Sequence, residues 1–283
     1  MVKFDKEKHK YYNDKGEEYI SVSTLVNLCK PKFDSDYWSK YKAIEKYCKN
    51  YLADGENAFK RFKSKVTKEN INELYSLCNN NIINSLRIEI LTEWDKKRND
   101  ACEKGTAFHE NKEKEIIGDV GVMTESGFLP HTIPNEDLQL TPGIYTEVRL
   151  WSHKYKIAGT TDKIILYPDF KTFDIDDHKT NKKIDLRGFQ NKNGFYEKLN
   201  YPLNHLENCN YIIYSLQISI YAFLLEQFGY KLKTSKFTHY QDILDLSGNI
   251  IEVKETPYYI KYLKEDVIKL ITWYNETQRR KIL

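Results

Sequence analysis

The pattern of this sequence predicts an α/β chain with a helical elaboration in its first half, and three stretches carry that prediction. From Asp34 to Ile117 the residues follow a helical period rich in Lys, Glu and Asn, interrupted only by Gly55 and Gly105. From Ile144 to Thr180 the chain reads as three strands, the last two joined through Pro168-Asp169. Beyond them, Tyr211 to Phe228 is apolar on nearly every side, as a buried helix must be. With 283 residues the chain can bury one substantial core. We therefore expect one structural unit overall, in which residues 1–117 form a hairpin and helical subdomain and residues 118–283 carry the sheet.

Tyr11-Tyr12 and Tyr19-Ile20 flank Asn13-Asp14-Lys15-Gly16, whose turn chemistry predicts a hairpin. Ser21 to Thr24 offer N-caps for a short helix through Leu28, which has to end before Pro31. Within the long helical stretch, the basic run from Lys60 to Lys65 reads first as a solvated face and second as a surface for a nucleic-acid backbone. Cys102 to Glu110 opens its last helix. There Gly105 would permit close packing against a site, and His109 is either a structural histidine or a metal ligand. Gly118 to Gly143, with Pro130, Pro134 and Pro142 and no period, reads as a surface connection or a substrate-guiding loop.

In the first strand of the sheet, Tyr145, Glu147, Arg149 and Trp151 are expected on one face, with Val148 and Leu150 on the other. Glu147 then either reaches a site from a neighbouring strand or pairs with a lysine. In the second strand, Lys156 to Tyr167, Ala158, Asp162, Ile164 and Leu166 share a face; in the third, Thr172 to Thr180, Phe173, Ile175, Asp177 and Lys179 do so, with His178 opposite. Two carboxylates and a lysine thus extend apolar rows, where unpaired charge is costly. A shared hard cation bound through oxygen is the simplest relief, with the lysine beside it. Such a grouping suits phosphodiester cleavage, because the metal polarises a phosphoryl oxygen and acidifies water while the ammonium offsets developing negative charge. Asp169-Phe170-Lys171 repeats the Asp-x-Lys pattern after Pro168, but a hairpin tip is the least rigid place for a metal.

Asn181 to Asn208 is polar, holds Gly188, Gly194 and Pro202, and predicts loops whose Lys182, Lys183 and Lys192 are candidate phosphate contacts. Asn210 is the expected cap of the apolar helix. On that helix Gln217 and Tyr221 fall on one face with Tyr214 a turn before, either bonded locally across helices or directed at the site. Residues 231–240 and 249–254 read as edge strands, and Tyr258 to Ile282 as an amphipathic helix whose terminal Arg279, Arg280 and Lys281 suit its dipole.

The formal net charge of +3, from 44 basic and 41 acidic residues, does not by itself point to nucleic acid, so a binding groove has to come from local clustering. Most of the 22 tyrosines fit a general compositional bias. Five dispersed cysteines without a C-x-x-C pair argue against a disulfide framework and fit a reducing compartment. No apolar run is long enough for a membrane span, and the charged start Met1 to Lys6 is unlike a signal peptide, so we expect a cytoplasmic protein without a membrane partner.

Four pieces, taken together and in order, resemble the PD-(D/E)xK nuclease superfamily, specifically its RecB-type branch of AddB, CRISPR-associated and mitochondrial genome maintenance exonucleases. They are Gly105-Thr106-Ala107-Phe108-His109-Glu110, Gly159-Thr160-Thr161-Asp162, Asp177-His178-Lys179-Thr180 and Gln217-Ile218-Ser219-Ile220-Tyr221. The resemblance implies a central mixed sheet flanked by helices, the restriction-endonuclease-like core, with the N-terminal helices as a clamp that contributes His109. It implies that His109, Asp162, Asp177 and the carbonyl of His178 hold Mg or Mn, and that Lys179 orients or activates water. Gln217 and Tyr221 would contact the scissile strand or support the lysine, and Glu147 remains a further candidate at the catalytic site. The iron-sulfur cysteine cluster of several members is not evident and no helicase motifs are present, which leaves a free-standing nuclease similar to small phage-encoded members, acting in a host cytoplasm in DNA repair or recombination. The activity implied is exonucleolytic hydrolysis of free or single-stranded DNA ends. The alternatives are a structure- or site-specific endonuclease and a non-catalytic DNA-binding protein on the same fold.

Overall fold

The computed structural model of the chain describes residues 2–5, 7–120, 142–191 and 193–282, with side chains for all of these but 116–120 and 278–282. Most of the stretch expected to form a long connection or loop, residues 121–141, and Lys192 thus lie outside the described residues, as do the side chains of the basic last turn. The chain divides into two compact units, residues 32–104 and, together, residues 1–31 with 105–283.

The 32–104 unit is helical. Helices α2 (Ser35–Tyr51), α3 (Gly55–Lys65) and α4 (Ile71–Ser76) and the first part of α5 (Asn80–Val120) enclose a small core of Ala43, Ile44, Phe62, Ile71 and Ile83. Asp34 caps α2 by accepting the Tyr37 N–H at 3.0 Å. In α3 only Phe62 is buried, and the basic residues around it are exposed, as on the solvated face of an amphipathic helix.

The other unit is built on a mixed sheet with helices packed against it. Its strands are β1 (Val2–Asp5), β2 (Lys10–Asn13), β3 (Glu18–Ser21), β4 (Gly143–Ser152), β5 (Ile157–Leu166), β6 (Thr172–Lys179), β7 (Lys231–Leu244) and β8 (Ile250–Tyr259). Among the described residues these form one eight-stranded sheet in the order β1-β2-β3-β5-β6-β7-β8, with β4 also paired to β5. Helix α1 (Val22–Asn27) starts as expected at Ser21, whose hydroxyl accepts the Thr24 N–H at 3.0 Å. Helix α6 (Asn210–Glu226) begins one residue early: Cys209 takes the cap position, and the Asn210 side chain instead accepts the Asp185 N–H at 3.2 Å. Helix α7 (Lys264–Ile282) starts later than expected because Tyr258 and Tyr259 are drawn into β8, opposite Phe237 and Lys236.

Strand β5 organises the sheet. Antiparallel β4 lines it from Ile157 to Leu166, while β3 pairs in parallel with Ile157 and Ala158, and β6 pairs antiparallel from Lys163↔Asp176 to Leu166↔Phe173. Between those two partners, Gly159 to Asp162 has no ladder on that side, and beyond Asp176 strand β6 pairs with β7 alone. The sheet is splayed there, and helices close over the gap. A Cβ on Gly159 would lie 2.7 Å from the Tyr221 ring and 2.8 Å from a Val22 methyl carbon, so that position admits only glycine. Beneath, Val22 and Leu25 of α1, Leu216 and Ile220 of α6, and Leu270 of α7 pack on Ile164, Phe173 and Ile175.

Strand alternation does not hold throughout. Tyr145 lies in the main core with Val148 and Leu150, whereas Trp151 joins Tyr19 and Ala158 in a separate cluster. Ile157 and Ile164 likewise share the main core, and Ala158 does not. The expected grouping of Tyr145 with Trp151, and of Ala158 with Ile164, is therefore corrected. Its physical cause is visible in β4: Glu147 has φ +50, a left-handed residue that re-aims the strand so that its buried set changes parity. The residues opposite it in β5 surround Asp162.

Candidate metal centre

The reversal point is where chemistry-bearing side chains converge. From α5, His109 Nδ1 comes within 3.3 Å of an Asp162 carboxylate oxygen, Oδ1. The other oxygen of Asp162 accepts the His178 backbone N–H at 2.6 Å, which uses a donor freed by the separation of β5 and β6. Glu147 completes the group: one ligand atom from each of His109, Glu147 and Asp162 lies within 4.8 Å of the other two. The sequence leaves two readings for Glu147; in the structure it lies with His109 and Asp162, and among the described residues no lysine is paired with it.

Beside this triad, Asp177 is 1% exposed and its carboxylate is in contact with the Lys179 ammonium. Lys179 Nζ donates to Gln217 Oε1 at 3.5 Å and sits 4.7 Å from the centre of the Tyr214 ring. Gln217 in turn donates to the Tyr221 hydroxyl at 3.4 Å. The polar stripe of α6 is therefore directed at the strand that carries Asp177. The sequence names Tyr214 only as a neighbour in that stripe; its place over the ammonium follows from the packing of α6 on β6 and has no local signal.

Other candidates fall elsewhere. The His178 imidazole packs edge-on to Tyr240 at 5.4 Å between ring centres, 6.2 Å from the His109 ring, and burial pushes its pKa down, so that it is neutral. Gly105 is not required for space, since a Cβ there would come no closer than 3.9 Å to Thr180. Lys182 and Lys183 are exposed, and Lys183 is paired with Asp185 at 2.7 Å. Lys183 and Gln217 both line a groove of about 560 Å³ that also takes in Lys30, Tyr214 and Phe189.

The electrostatics of the cluster are those of negative charge held out of water. Burial and the Asp162 carboxylate push Glu147 up to about 8, and burial and Asp162 push Asp177 up to about 6. Asp162 itself is lowered: burial opposes ionisation, but the His109 hydrogen bond and the nearby positive charges outweigh it. His109 is raised by Asp162, Asp177 and Glu147 against the opposing effect of its burial, and Lys179 is likewise raised by Asp177 and Asp162. A cation among these groups would relieve the carboxylate repulsion directly. Two carboxylates and an imidazole, with a third carboxylate adjacent, form an oxygen-rich donor set that fits a hard divalent ion such as Mg²⁺ or Mn²⁺.

The fold and the site together describe an α/β protein with a candidate divalent-metal centre at the splayed point of its sheet. Neither a family model nor a curated protein matches the chain. Among solved structures it is similar to a candidate exonuclease from Eubacterium rectale, at 11% identity and a TM-score of 0.33, over 92% of this chain and 80% of that one. No described helix is long and apolar enough to cross a membrane.

Proposed function

We propose that this protein is a metal-dependent deoxyribonuclease that hydrolyses phosphodiester bonds, acting as an exonuclease on free or single-stranded DNA ends. The observation that carries the reading is the convergence of His109, Glu147 and Asp162 within 4.8 Å, next to the buried Asp177 and its ammonium partner Lys179. His109, Glu147 and Asp162 would hold the ion, with Asp177 and the His178 carbonyl as further ligands. When bound, a divalent ion supplies Lewis acidity toward a phosphoryl oxygen and lowers the pKa of a water molecule.

The chain's own residues supply the rest. Lys179 is kept protonated by Asp177 and Asp162, so it serves as a fixed positive charge for the phosphorane-like transition state rather than as a base. Gln217 accepts from the Lys179 ammonium, and Tyr221 accepts from Gln217, which fixes where that charge points. The Tyr214 ring covers the ammonium at 4.7 Å and shields it from solvent. Lys182 and Lys183, exposed shortly after β6, would meet phosphates of the bound strand, Lys183 by exchanging its Asp185 partner for one.

End-labelled linear single- and double-stranded DNA and closed circular DNA, each with Mg²⁺, Mn²⁺ or chelator, test the proposal. Metal-dependent loss of the linear substrates with sparing of the circle is the expected outcome. Cleavage of the circle would replace exonuclease by endonuclease, and binding without cleavage in either metal would overturn the enzymatic reading.

A further inference from the structure

The segment between β6 and α6 contains a small, firmly tied hairpin. Gln190 pairs with Tyr196, the Glu197 N–H donates to the Phe189 carbonyl at 2.8 Å, and the Asn191 N–H donates to the Phe195 carbonyl at 2.9 Å. Its base is closed by a forked ion pair in which Arg187 Nε and Nη2 reach the two Glu207 oxygens at 2.9 and 2.8 Å, while the same carboxylate accepts the Gly188 N–H at 2.9 Å. A Cβ on Gly188 would lie 2.4 Å from the Glu197 carbonyl oxygen, so the two strands approach as closely as glycine allows. The far side is tied to the turn that follows α1, because the Asn200 N–H donates to the Cys29 carbonyl at 2.6 Å.

On this rigid support, Phe189 is 74% exposed and Phe195 71% exposed. The pairing of Gln190 with Tyr196 places both phenylalanines on the opposite face from that pair, as diagonal neighbours. Diagonal neighbours stand about 7–8 Å apart, roughly twice the 3.4 Å spacing of stacked bases. Neither ring contributes to the core, and single exposed phenylalanines need no explanation, but two on one face of a braced hairpin do. Phe189 also lines the groove that reaches Gln217, and Gln217 is bonded to Lys179. The same groove holds Lys30 and Lys183, the latter paired with Asp185 at 2.7 Å in the same lining, so the ring beside it opens onto a polar, charged path rather than onto a plain apolar patch.

We infer that Phe189 and Phe195 form a stacking platform for unpaired bases of the strand that leads to the metal centre, with Lys30 and Lys183 facing its phosphates. The inference rests on the nuclease reading above and adds the source of its preference for single strands: only a base released from a duplex can expose both π-faces to two rings. No base-specific donors are needed, so the platform is indifferent to sequence.

The test is binding of dye-labelled oligothymidylate, and of an abasic deoxyribose-phosphate oligomer of equal length, in chelator. Wild-type protein should bind the thymidylate about tenfold or more tightly than the abasic strand. Phe189→Ala with Phe195→Ala should lose that difference while keeping the abasic affinity, and Phe189→Trp with Phe195→Trp should retain it. Leucine at both positions, which keeps the apolar surface without the ring, should behave as alanine does. The platform is refuted if wild-type protein does not distinguish the two strands, or if the alanine variant binds thymidylate as wild type does. Cleavage in Mg²⁺ or Mn²⁺, measured in parallel, tests the nuclease reading separately: its absence alongside base-dependent binding would overturn the enzyme and support the platform.

Discussion

The β5–β6 hairpin carries the tripeptide pattern Asp-x-Lys twice, at its tip as Asp169-Phe170-Lys171 and at its far end as Asp177-His178-Lys179. At the tip, Asp169 is fully served: it accepts the Lys171 and Thr172 N–H groups at 2.9 and 2.8 Å and the Thr172 hydroxyl at 2.6 Å. Those hydrogen bonds hold its pKa down to about 2. At the far end, burial and Asp162 drive Asp177 up to about 6, with the Lys179 ammonium opposing them. Identical local chemistry thus gives a carboxylate that needs nothing further and one whose ionised form the fold leaves under-compensated. Ligand chemistry is expected at the second kind, because there a cation removes a standing cost.

The comparison breaks first on activity. Asp177→Asn and Lys179→Ala should each lower cleavage by about 10³-fold, the several kcal/mol expected of a charge acting at a phosphoryl transition state. Asp169→Asn should leave cleavage unchanged. A gel assay on linear DNA reads both, and an active Asp177→Asn protein would erase the distinction between the two ends.

Next in size is metal affinity. Glu147→Gln and His109→Ala should each weaken Mn²⁺ binding by calorimetry to below the level detectable at millimolar metal, because each removes one of the three convergent donors. The same Glu147→Gln change should raise the metal-free melting temperature at pH 8. The folded state holds the Glu147 proton up to about 8 whereas the unfolded chain releases it near the ordinary carboxyl value, so the native state binds more protons and loses stability as pH rises between those values. An amide has no proton to lose and escapes that penalty. An unchanged or lower melting temperature would mean that the carboxylate is compensated in some other way.

A pH series sharpens the contrast without mutation. Metal must displace the proton held on Glu147, whose pKa is about 8, so Mn²⁺ affinity should climb as pH rises from 6 to 8, by up to about tenfold per unit, while the contribution of Asp177, at about 6, falls mostly below that range. A flat profile over that range would mean that Glu147 is not a ligand.

Much of this was legible in the sequence, and the rest was hidden for identifiable reasons. Asp177 with Lys179, and Gln217 with Tyr221, could be grouped because strand and helix periods dictate which side chains share a face. His109 lay far off in sequence and came forward only through resemblance. Glu147 could not be assigned, because its side chain reaches the triad through a left-handed backbone that no simple alternation anticipates. The groove and its Lys30 wall depend on β3 pairing in parallel with β5 at Ile20↔Ile157, a contact between distant segments with no local sequence mark. Gly159 and Gly105 illustrate the same limit: both precede candidate ligands in the family-like pieces, yet only Gly159 has a neighbour that excludes a side chain.

The smallest expected effect falls at the hairpin tip and concerns the fold alone. Asp169→Ala removes the acceptor for three donors, but all of them lie at an exposed turn where water can replace it. Phe170 beside it has φ +58, a conformation that the Asp169 turn helps to hold, so some loss of order is expected. The melting temperature should fall by no more than a few degrees, and Mn²⁺ affinity should not change. A loss of metal binding in this variant would show that the tip and the far end are coupled through β6, in which case the two Asp-x-Lys segments could not be treated as independent sites.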